Sequence, residues 1–289
     1  MEFKHLNLDL TMDVLTVPTL SNHEGMMVDY LKRWADDNQV LNWMDKAGNL
    51  YFVKGDKPMK GGFPCLSAHL DTVQTGQLPY IERGQLLPYT IEEQRDGTHK
   101  IFTEGMGIGA DCKCGIAICL HLIRKMDHVK AVFFHDEEKS MEGAANADWH
   151  FFADVSYFFD FDGMGLDLEW HCGGQQFFTY GFYEKHLKDI VEKYHMRVCS
   201  QLFADAYAVC FYMHIATVNF GNGSHNIHSD QEYFIAEEMD EMIEIAETAI
   251  SRLGTQRYHC DFSFGDKIRG YTLIHMIEEE RRHGHGCRL

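Results

Sequence analysis

Short apolar runs alternate along the chain with segments whose apolar residues recur every three or four positions. The runs at 63–68, 129–135 and 155–161 have the length and composition of buried β-strands. Residues 116–123, which lie between the first two runs, carry apolar side chains at helical spacing. Because strands alternate with helices, the pattern predicts an α/β fold in which a mixed central sheet has helices on both faces.

Further elements are predicted on both sides of these strands. Ser21 and Glu24 have the spacing of a capping box that would begin a helix, and 48–53 indicates a turn into a strand. Alternating runs at 81–89 and 99–103 predict a hairpin. Downstream, the patterns predict a strand at 176–182, helices at 184–195 and 205–213, a strand at 215–220, a glycine-rich loop at 221–232 and a long helix from Ile235 that stops at Gly254.

The chain is long enough to bury a full core. It has 289 residues, of which 45% are hydrophobic, so we expect a single domain at 1–289 with an inserted hairpin near 74–104. The charged tail at 278–289 is expected to be a frayed terminus with incidental metal affinity at most.

Charge and cysteine usage limit the partners and the compartment. The net charge of −18 argues against nucleic acid and anionic membranes, which need clustered Lys and Arg. The nine cysteines form no CxxC pairs, which favours a reducing compartment over a disulfide framework. The sequence shows no export signal and no run of membrane-spanning length. We therefore expect a cytoplasmic protein.

Titratable side chains gather where the predicted strands end. His69 and Asp71 stand two residues apart after the first strand, so in extended backbone they face the same way. One ring nitrogen of His69 could bind a metal while Asp71 accepts the N–H of the other. The same tripeptide also occurs as an ordinary surface pair, so the residues downstream decide between the two interpretations.

Carboxylates follow the next two strands as well. Glu137 and Glu138 come directly after 129–135, and Asp162 ends the run at 155–161. Because ligands of α/β sheets bind beyond the carboxyl ends of the strands, we expect these side chains to lie together. Adjacent glutamates such as Glu137 and Glu138 also occur on solvated loop edges.

Two more candidates come from glycine-rich segments. Asp111 follows Gly105–Gly109 and opens a helix, and His228 lies in the loop at 221–232. A dinucleotide loop is disfavoured at Gly105–Gly109, because it requires a strand at the first crossover and an acid about 20 residues later. Imidazoles and carboxylates together are what two divalent cations need. Glu137, left uncommitted beside them, would be the general base of a hydrolase.

Five ordered segments resemble the co-catalytic dizinc exopeptidases, a clan that includes peptidase T, the glutamate carboxypeptidases and the aminoacylases. They are 67–73, 109–117, 136–138, 162–163 and 225–229. The resemblance implies a zinc-peptidase catalytic domain with a phosphorylase/hydrolase-like fold. It also implies two Zn²⁺ ions, with Co²⁺ or Mn²⁺ as alternatives, and hydrolysis of an amide bond in a small peptide. An exopeptidase, and within that class an aminopeptidase, is favoured.

The resemblance also implies a role for each matching residue. Glu137 would take a proton from a bridging water as that water attacks the amide carbonyl, and would deliver it to the leaving amine. Asp71 would orient His69. The metal ligands would be His69 and Asp162 for one ion, Glu138 and His228 for the other, and Asp111 as the bridge between both.

Several positions stay open. Cys112 stands where the clan usually has a second aspartate, and a thiol there could perturb metal choice or simply pack. His225 competes with His228, and Asp160 with Asp162, although the motif favours the second member of each pair. His171 could contact substrate or an oxyanion, or could be an ordinary core or surface histidine.

Peptidase T and its close relatives carry a separate lid or dimerisation domain, which is inserted after the equivalent of Asp162. Only about sixty residues separate Asp162 from His228, which is too few for an independent lid of typical domain size. Substrate recognition would then depend on the hairpin near 74–104, on 171–174 or on a neighbouring subunit, and a homo-oligomer is possible.

Two rival functions remain. An N-acyl amino acid deacylase would use the same metals and base on an acyl-amino-acid substrate. A non-catalytic binding protein on the same fold is disfavoured, because the whole acid, base and ligand set is present. The sequence leaves open which end of the substrate is recognised, its side chain and the native metal.

Overall fold

Twelve strands form one mixed sheet in the computed structural model, which describes residues 2–58, 60–172, 175–201 and 203–260. The strands are β1 (Leu41–Met44), β2 (Leu50–Lys54), β3 (Phe63–His69), β4 (Thr90–Glu93), β5 (His99–Phe102), β6 (Val129–Phe134), β7 (Val155–Met164), β8 (Asp167–Cys172), β9 (Gln175–Gln176), β10 (Arg197–Gln201), β11 (Thr217–His225) and β12 (Tyr233–Ile235).

The sheet order is β1-β2-β6-β3-β7-β11-β12-β5-β4, and β8 leads from β11 to β9 and β10. The four central strands β6, β3, β7 and β11 are parallel to their neighbours within this group. Their carboxyl ends therefore meet at one edge of the sheet, which is where α/β proteins place their ligands.

Helices cover both faces of the sheet. They are α1 (Leu8–Leu15), α2 (Gly25–Asp37), α3 (Leu78–Arg83), α4 (Ala110–Lys125), α5 (Glu142–Ala145), α6 (Tyr180–Phe182), α7 (Lys188–Lys193), α8 (Asp205–Met213) and α9 (Ala236–Leu253), with a π-helical turn at Tyr183–Leu187 between α6 and α7. The predicted α/β class, with a mixed central sheet and helices on both faces, is confirmed.

Strand alternation divides the apolar side chains between two cores. Leu66, Phe133 and Phe159 pack on the face that α1, α2, α4 and α9 cover. Their chain neighbours Phe134 and Phe158 point to the opposite core, which α5 and part of α8 close. Successive side chains of a strand face opposite sides, so a continuous apolar run is what a strand buried on both faces requires.

The helix predicted to begin at a Ser21 capping box starts later. α2 begins at Gly25, and Glu24 occupies the N-cap position without a side-chain capping hydrogen bond. Ser21 instead donates its hydroxyl hydrogen to Asp71 Oδ2 at 2.7 Å. The prediction was wrong because the spacing of a capping box describes local geometry, and a partner distant in sequence binds this hydroxyl.

The predicted hairpin forms with different bounds. β4 and β5 pair antiparallel, so a strand within 99–103 is confirmed. The strand predicted at 81–89 is wrong, because β4 begins only at Thr90. The first residues of that run belong to α3, which has a proline in its first turn and ends at Gly84 in a left-handed conformation (φ 61°).

The region before α8 differs most from its prediction. The strand expected at 176–182 is reduced to Gln175–Gln176, and Thr179 caps a helix instead. The strand expected at 215–220 continues to His225, so the first part of the predicted glycine-rich loop belongs to the sheet. No sequence pattern predicted β1, β8, β10, β12 or α1.

Some predictions fall outside the described residues. The tail at 278–289 lies outside them, as do Gly173 and Gly174, and the single-domain organisation of 1–289 stays a prediction. Among the helices that the structure describes, none combines the length and the apolar composition needed to cross a membrane.

Candidate two-metal site

The candidate site lies at the carboxyl ends of the four central strands. His69 is the last residue of β3, Glu138 follows β6, Asp162 lies near the end of β7 and His228 follows β11. Asp111, the second residue of α4, approaches the same point. The structure thus brings together all five residues that the sequence predicts as metal ligands.

The carboxylate of Asp111 divides its two oxygens between the two histidines. His69 Nε2 lies 3.1 Å from Asp111 Oδ1, and His228 Nε2 lies 3.0 Å from Asp111 Oδ2. A carboxylate that faces two separate groups in this way has the arrangement required of a bridging ligand.

Each histidine also faces one further acid. His69 Nε2 lies 3.1 Å from Asp162 Oδ1, and His228 Nε2 lies 2.9 Å from Glu138 Oε1. The site therefore consists of two groups that share Asp111. This is the grouping that the sequence resemblance implies, although the metal-ligand roles themselves stay predictions.

The carboxylate of Asp71 connects three residues of the site: His69, Glu137 and Ser21. Its Oδ1 lies 3.3 Å from His69 Nδ1 and accepts the backbone N–H of Glu137 at 3.0 Å. Its Oδ2 accepts the hydroxyl of Ser21. The predicted contact between Asp71 and His69 is present, and it leaves Nε2 of the ring directed at the carboxylates. Sequence reasoning missed Ser21, because its spacing to Glu24 suggested a helix cap.

The backbone before Asp111 is held by Glu232. The Glu232 carboxylate accepts the N–H of Gly109 at 2.6 Å and the N–H of Asp111 at 3.1 Å. Gly109 adopts a left-handed conformation (φ 72°), which glycine reaches at little cost. Asp111 itself has a non-helical backbone (ψ 106°), and its carboxylate contacts both histidines.

Burial and charge shift the pKa values of these groups in different directions. Burial raises the pKa of Asp162 well above its usual range and that of Glu137 to about 7. Contacts with Asp111 and Glu138 raise the pKa of His228 to about 10. Burial alone would raise the pKa of Asp111, but the hydrogen bonds from His228 and His69 outweigh it and hold that pKa well below its usual range.

The donor set fits divalent cations. Asp111, Glu138 and Asp162 are held close together, yet within the described part of the chain no Lys or Arg lies within 4.0 Å of their carboxylates. Acids that share a site repel one another, and the charges of Asp111 and Glu137 add to the effect of burial in raising the pKa of Asp162. Mixed imidazole and carboxylate ligands are typical of Zn²⁺, and also suit Co²⁺ and Mn²⁺.

A cavity of about 280 Å³ opens above these residues. Phe203 and Ile227 add apolar surface to it, and Ser140 adds a hydroxyl. The remaining lining consists of Asp111, Glu137, Glu138, Asp162 and His228. Sequence reasoning missed Phe203 and Ile227, for which no pattern in the chain gave a signal.

The competing candidates lie elsewhere. His225 pairs with Glu238 at 2.6 Å and stacks on Tyr233, and among the described residues it forms no hydrogen bond or ion pair with the acid cluster. Asp160 is buried beneath the site, where its Oδ2 accepts the N–H of Ala206 at 3.0 Å and so caps α8. His171 is half-buried on β8 and does not line the cavity.

Cys112 packs against the sheet. Its thiol donates to the carbonyl oxygen of Phe161 at 3.0 Å, and burial raises its pKa well above the usual range. This hydrogen bond holds the thiol on the backbone of β7, and the Sγ atom also lies within 4.8 Å of ligand atoms of His69, Asp111 and Asp162. Of the two alternatives left open for Cys112, the geometry favours simple packing.

A second group of titratable side chains supports the loop that carries Glu137. His135 lies 3.1 Å from Glu24 Oε1 and 3.2 Å from Asp136 Oδ2, and Asn22 N donates to Asp136 Oδ1 at 3.1 Å. No local sequence pattern predicts this group, because its members come from two segments more than a hundred residues apart.

No protein-family model matches the sequence, and no curated protein matches it. Solved structures do match. A tripeptidase from Staphylococcus aureus has a TM-score of 0.65 at 12% identity, covering 88% of this chain and 100% of its own. The aminopeptidase PepT from Bacillus cereus has 0.67 at 14% identity, covering 85% and 97%. The TET1 peptidase of Pyrococcus horikoshii, which can assemble into a tetrahedron or a large octahedral shell, has 0.56 at 13%, covering 83% and 98%.

These likenesses establish the fold. The central sheet and its flanking helices are those of peptidases, so the fold expected from the sequence resemblance is confirmed. At 12–14% identity the likeness extends to the fold alone, and the chemistry must be argued from the residues of this chain.

Proposed function

We propose that this chain is a two-metal exopeptidase that hydrolyses an amide bond of a small peptide, and that it is an aminopeptidase. The observation that carries the proposal is the position of Asp111, whose two carboxylate oxygens face His69 and His228 at 3.1 and 3.0 Å. The fold shared with a tripeptidase and with aminopeptidases supports the same reaction class.

The proposed ligands are His69 and Asp162 on one side, Glu138 and His228 on the other, and Asp111 between them. Two Zn²⁺ ions held there, with Co²⁺ or Mn²⁺ as alternatives, would act as Lewis acids on the amide carbonyl. Asp71 keeps His69 in one tautomer by accepting its Nδ1–H, and it fixes the backbone of Glu137 through the same oxygen.

Glu137 is the proposed general base. Among the described residues, no side chain hydrogen-bonds its carboxylate, whereas the carboxylate of the neighbouring Glu138 contacts His228. Glu137 lines the cavity, so its carboxylate is available to accept a proton from the attacking water. The same carboxyl group then delivers that proton to the nitrogen of the leaving amine.

The charge of the cavity favours an aminopeptidase over its rivals. Carboxypeptidases and N-acyl amino acid deacylases act on substrates with a free carboxylate beside the scissile amide. The described side chains that line the cavity include four acids and no Lys or Arg, so they offer no partner for that carboxylate. A free α-ammonium group suits the same surroundings.

The assembly state is also part of the proposal. We infer a homo-oligomer, because the TET1 peptidase, which has the same fold, assembles into large shells. Sedimentation velocity of the full chain tests this separately from activity, and a monomer at all concentrations would contradict it. The cytoplasmic location stays a prediction.

The first experiment is elemental analysis of the protein purified without a metal-affinity column, combined with a substrate screen. We expect two zinc ions per chain and chelator-sensitive cleavage of aminoacyl amides. Cleavage of N-acyl amino acids alone would favour the deacylase. Failure to bind zinc or cobalt after both are added back would contradict the two-metal site and favour the binding-protein alternative.

A further inference from the structure

Phe203 and Ile227 form an apolar wall in a cavity whose other surfaces are polar. Phe203 is 64% exposed, and within the described residues its ring contacts no other aromatic ring. Single exposed apolar residues are common on protein surfaces. Phe203 differs from them because it lines the same cavity as the proposed base and metal ligands.

The loop backbone fixes the position of Ile227. Asn226 and His228, its two neighbours, both adopt left-handed conformations (φ 51° and 60°), which non-glycine residues rarely do. Placing His228 against Asp111 and Glu138 therefore also places Ile227 on the wall of the cavity.

The size of the cavity limits what can reach this wall. Its volume of about 280 Å³ lies just below the range of roughly 300–1,000 Å³ that is typical of small-molecule sites. The attacked carbonyl must lie against Glu137 and the metal ligands, so little room remains beyond the residue that carries this carbonyl. The side chain of that residue is then the group that meets Phe203 and Ile227.

We propose that Phe203 and Ile227 form an apolar subsite that selects peptides whose N-terminal residue has an apolar side chain. The inference rests on the proposed function, and it adds the substrate class. An acidic N-terminal side chain is disfavoured, because the described lining holds no Lys or Arg to pair with it. A leucine-like side chain gains binding free energy, because its contact with Phe203 removes apolar surface of both groups from water.

The test uses the metal-loaded full chain with L-leucinamide, glycinamide and the α-amide of L-glutamic acid. We expect leucinamide to have the highest kcat/KM. In Phe203→Ala the ratio of kcat/KM for leucinamide to that for glycinamide should fall about tenfold, because discrimination by apolar pockets is typically about 10- to 200-fold per methylene. Ile227→Ala gives a second, independent variant with the same expectation.

Phe211→Ala is the matched control. Phe211 is also exposed, at 47%, but it stacks on Tyr207 and does not line the cavity, so the ratio should stay at the wild-type value. An unchanged ratio in both Phe203→Ala and Ile227→Ala would overturn the subsite. Preference for the glutamyl amide would overturn it as well.

Calorimetric titration with L-leucine separates this inference from the proposed function. If no amide is cleaved but leucine binds and Phe203→Ala weakens it about tenfold, the subsite stands and the peptidase assignment fails. If amides are cleaved without regard to the side chain, the assignment stands and the subsite fails. Absence of both cleavage and leucine binding would overturn both.

Discussion

Glu137 and Glu138 are adjacent in the chain and yet differ in what their carboxylates contact. Glu138 Oε1 lies 2.9 Å from His228 Nε2, whereas Glu137 is tied to the site through its backbone N–H, which Asp71 accepts. The sequence could predict that both residues lie at the site, because they follow a buried strand. Which of the two is free for proton transfer depends on the short 3₁₀ turn at Glu137–Lys139.

This difference predicts opposite effects of two similar substitutions. Glu137→Gln should lower kcat by about 100- to 10,000-fold, the usual contribution of a general base, and keep the full metal content. Glu138→Gln should lower the metal content, because the amide is a weaker ligand than the carboxylate. Elemental analysis and kinetics on the same preparations check both.

Equal activity of Glu137→Gln and the wild type would contradict the role as base. Loss of metal in Glu137→Gln would mean that Glu137 is itself a ligand.

At the scale of elements, apolar periodicity predicted the central strands because they are buried on both faces. Periodicity does not predict β8 and β10, whose residues include Asp, Glu, Arg and Gln. It does not predict β12 either, because the run Tyr-Phe-Ile is only three residues long. These strands form because neighbouring strands offer hydrogen-bonding partners, which is a tertiary effect. The position of Ile227 depends on the contacts of its neighbour His228 with Asp111 and Glu138, which are distant in sequence, so no local pattern predicts the apolar wall.

The junction of α1 and α4 depends on one neutral histidine. His121 accepts the N–H of Asn7 at Nε2, at 2.8 Å, and its Nδ1–H donates to the carbonyl of Ala117 at 2.7 Å. A proton on Nε2 would face the Asn7 N–H and break the first of these bonds. Burial lowers the pKa of His121 below its usual value of 6.5, because it disfavours the charged ring.

This arrangement predicts that stability depends on pH below neutrality. The unfolded chain binds a proton at His121 at a higher pH than the folded chain does, so the stabilisation is complete above pH 6.5 and is lost as the pH falls below it. The free energy of unfolding of the wild type should therefore fall relative to that of His121→Gln between pH 7.5 and 5.5. Urea denaturation of both proteins at each pH measures this difference in the free energy of unfolding.

His150→Gln removes an exposed histidine and is the control for that series. A constant difference between the wild type and His121→Gln across this pH range would contradict the neutral state of His121.

At the scale of the whole molecule, the proposed ligands come from four strand ends and one helix start. His69, Glu138, Asp162 and His228 each belong to a different central strand or to the loop that follows it. Cations bound among them would bind the folded chain and hardly the unfolded one, because the unfolded chain does not bring these ligands together. Metal binding should therefore raise the stability of the entire sheet, beyond its role in the chemistry.

Removal of the metals should accordingly lower the melting temperature. At a free metal concentration about 1,000 times the Kd, binding adds about 4 kcal/mol to the free energy of unfolding. At about 2 °C per kcal/mol for a chain of this size, chelation should lower the midpoint by roughly 8 °C, and added zinc should restore it. Differential scanning calorimetry before and after chelation measures the shift.

His228→Ala should bind about half the metal and show a smaller shift, since one of its two ligand groups is broken. His225→Ala should match the wild type, because His225 pairs with Glu238 outside the cluster. A melting temperature that chelation leaves unchanged, in protein shown to hold two ions, would mean that the metals bind outside this cluster of strand ends.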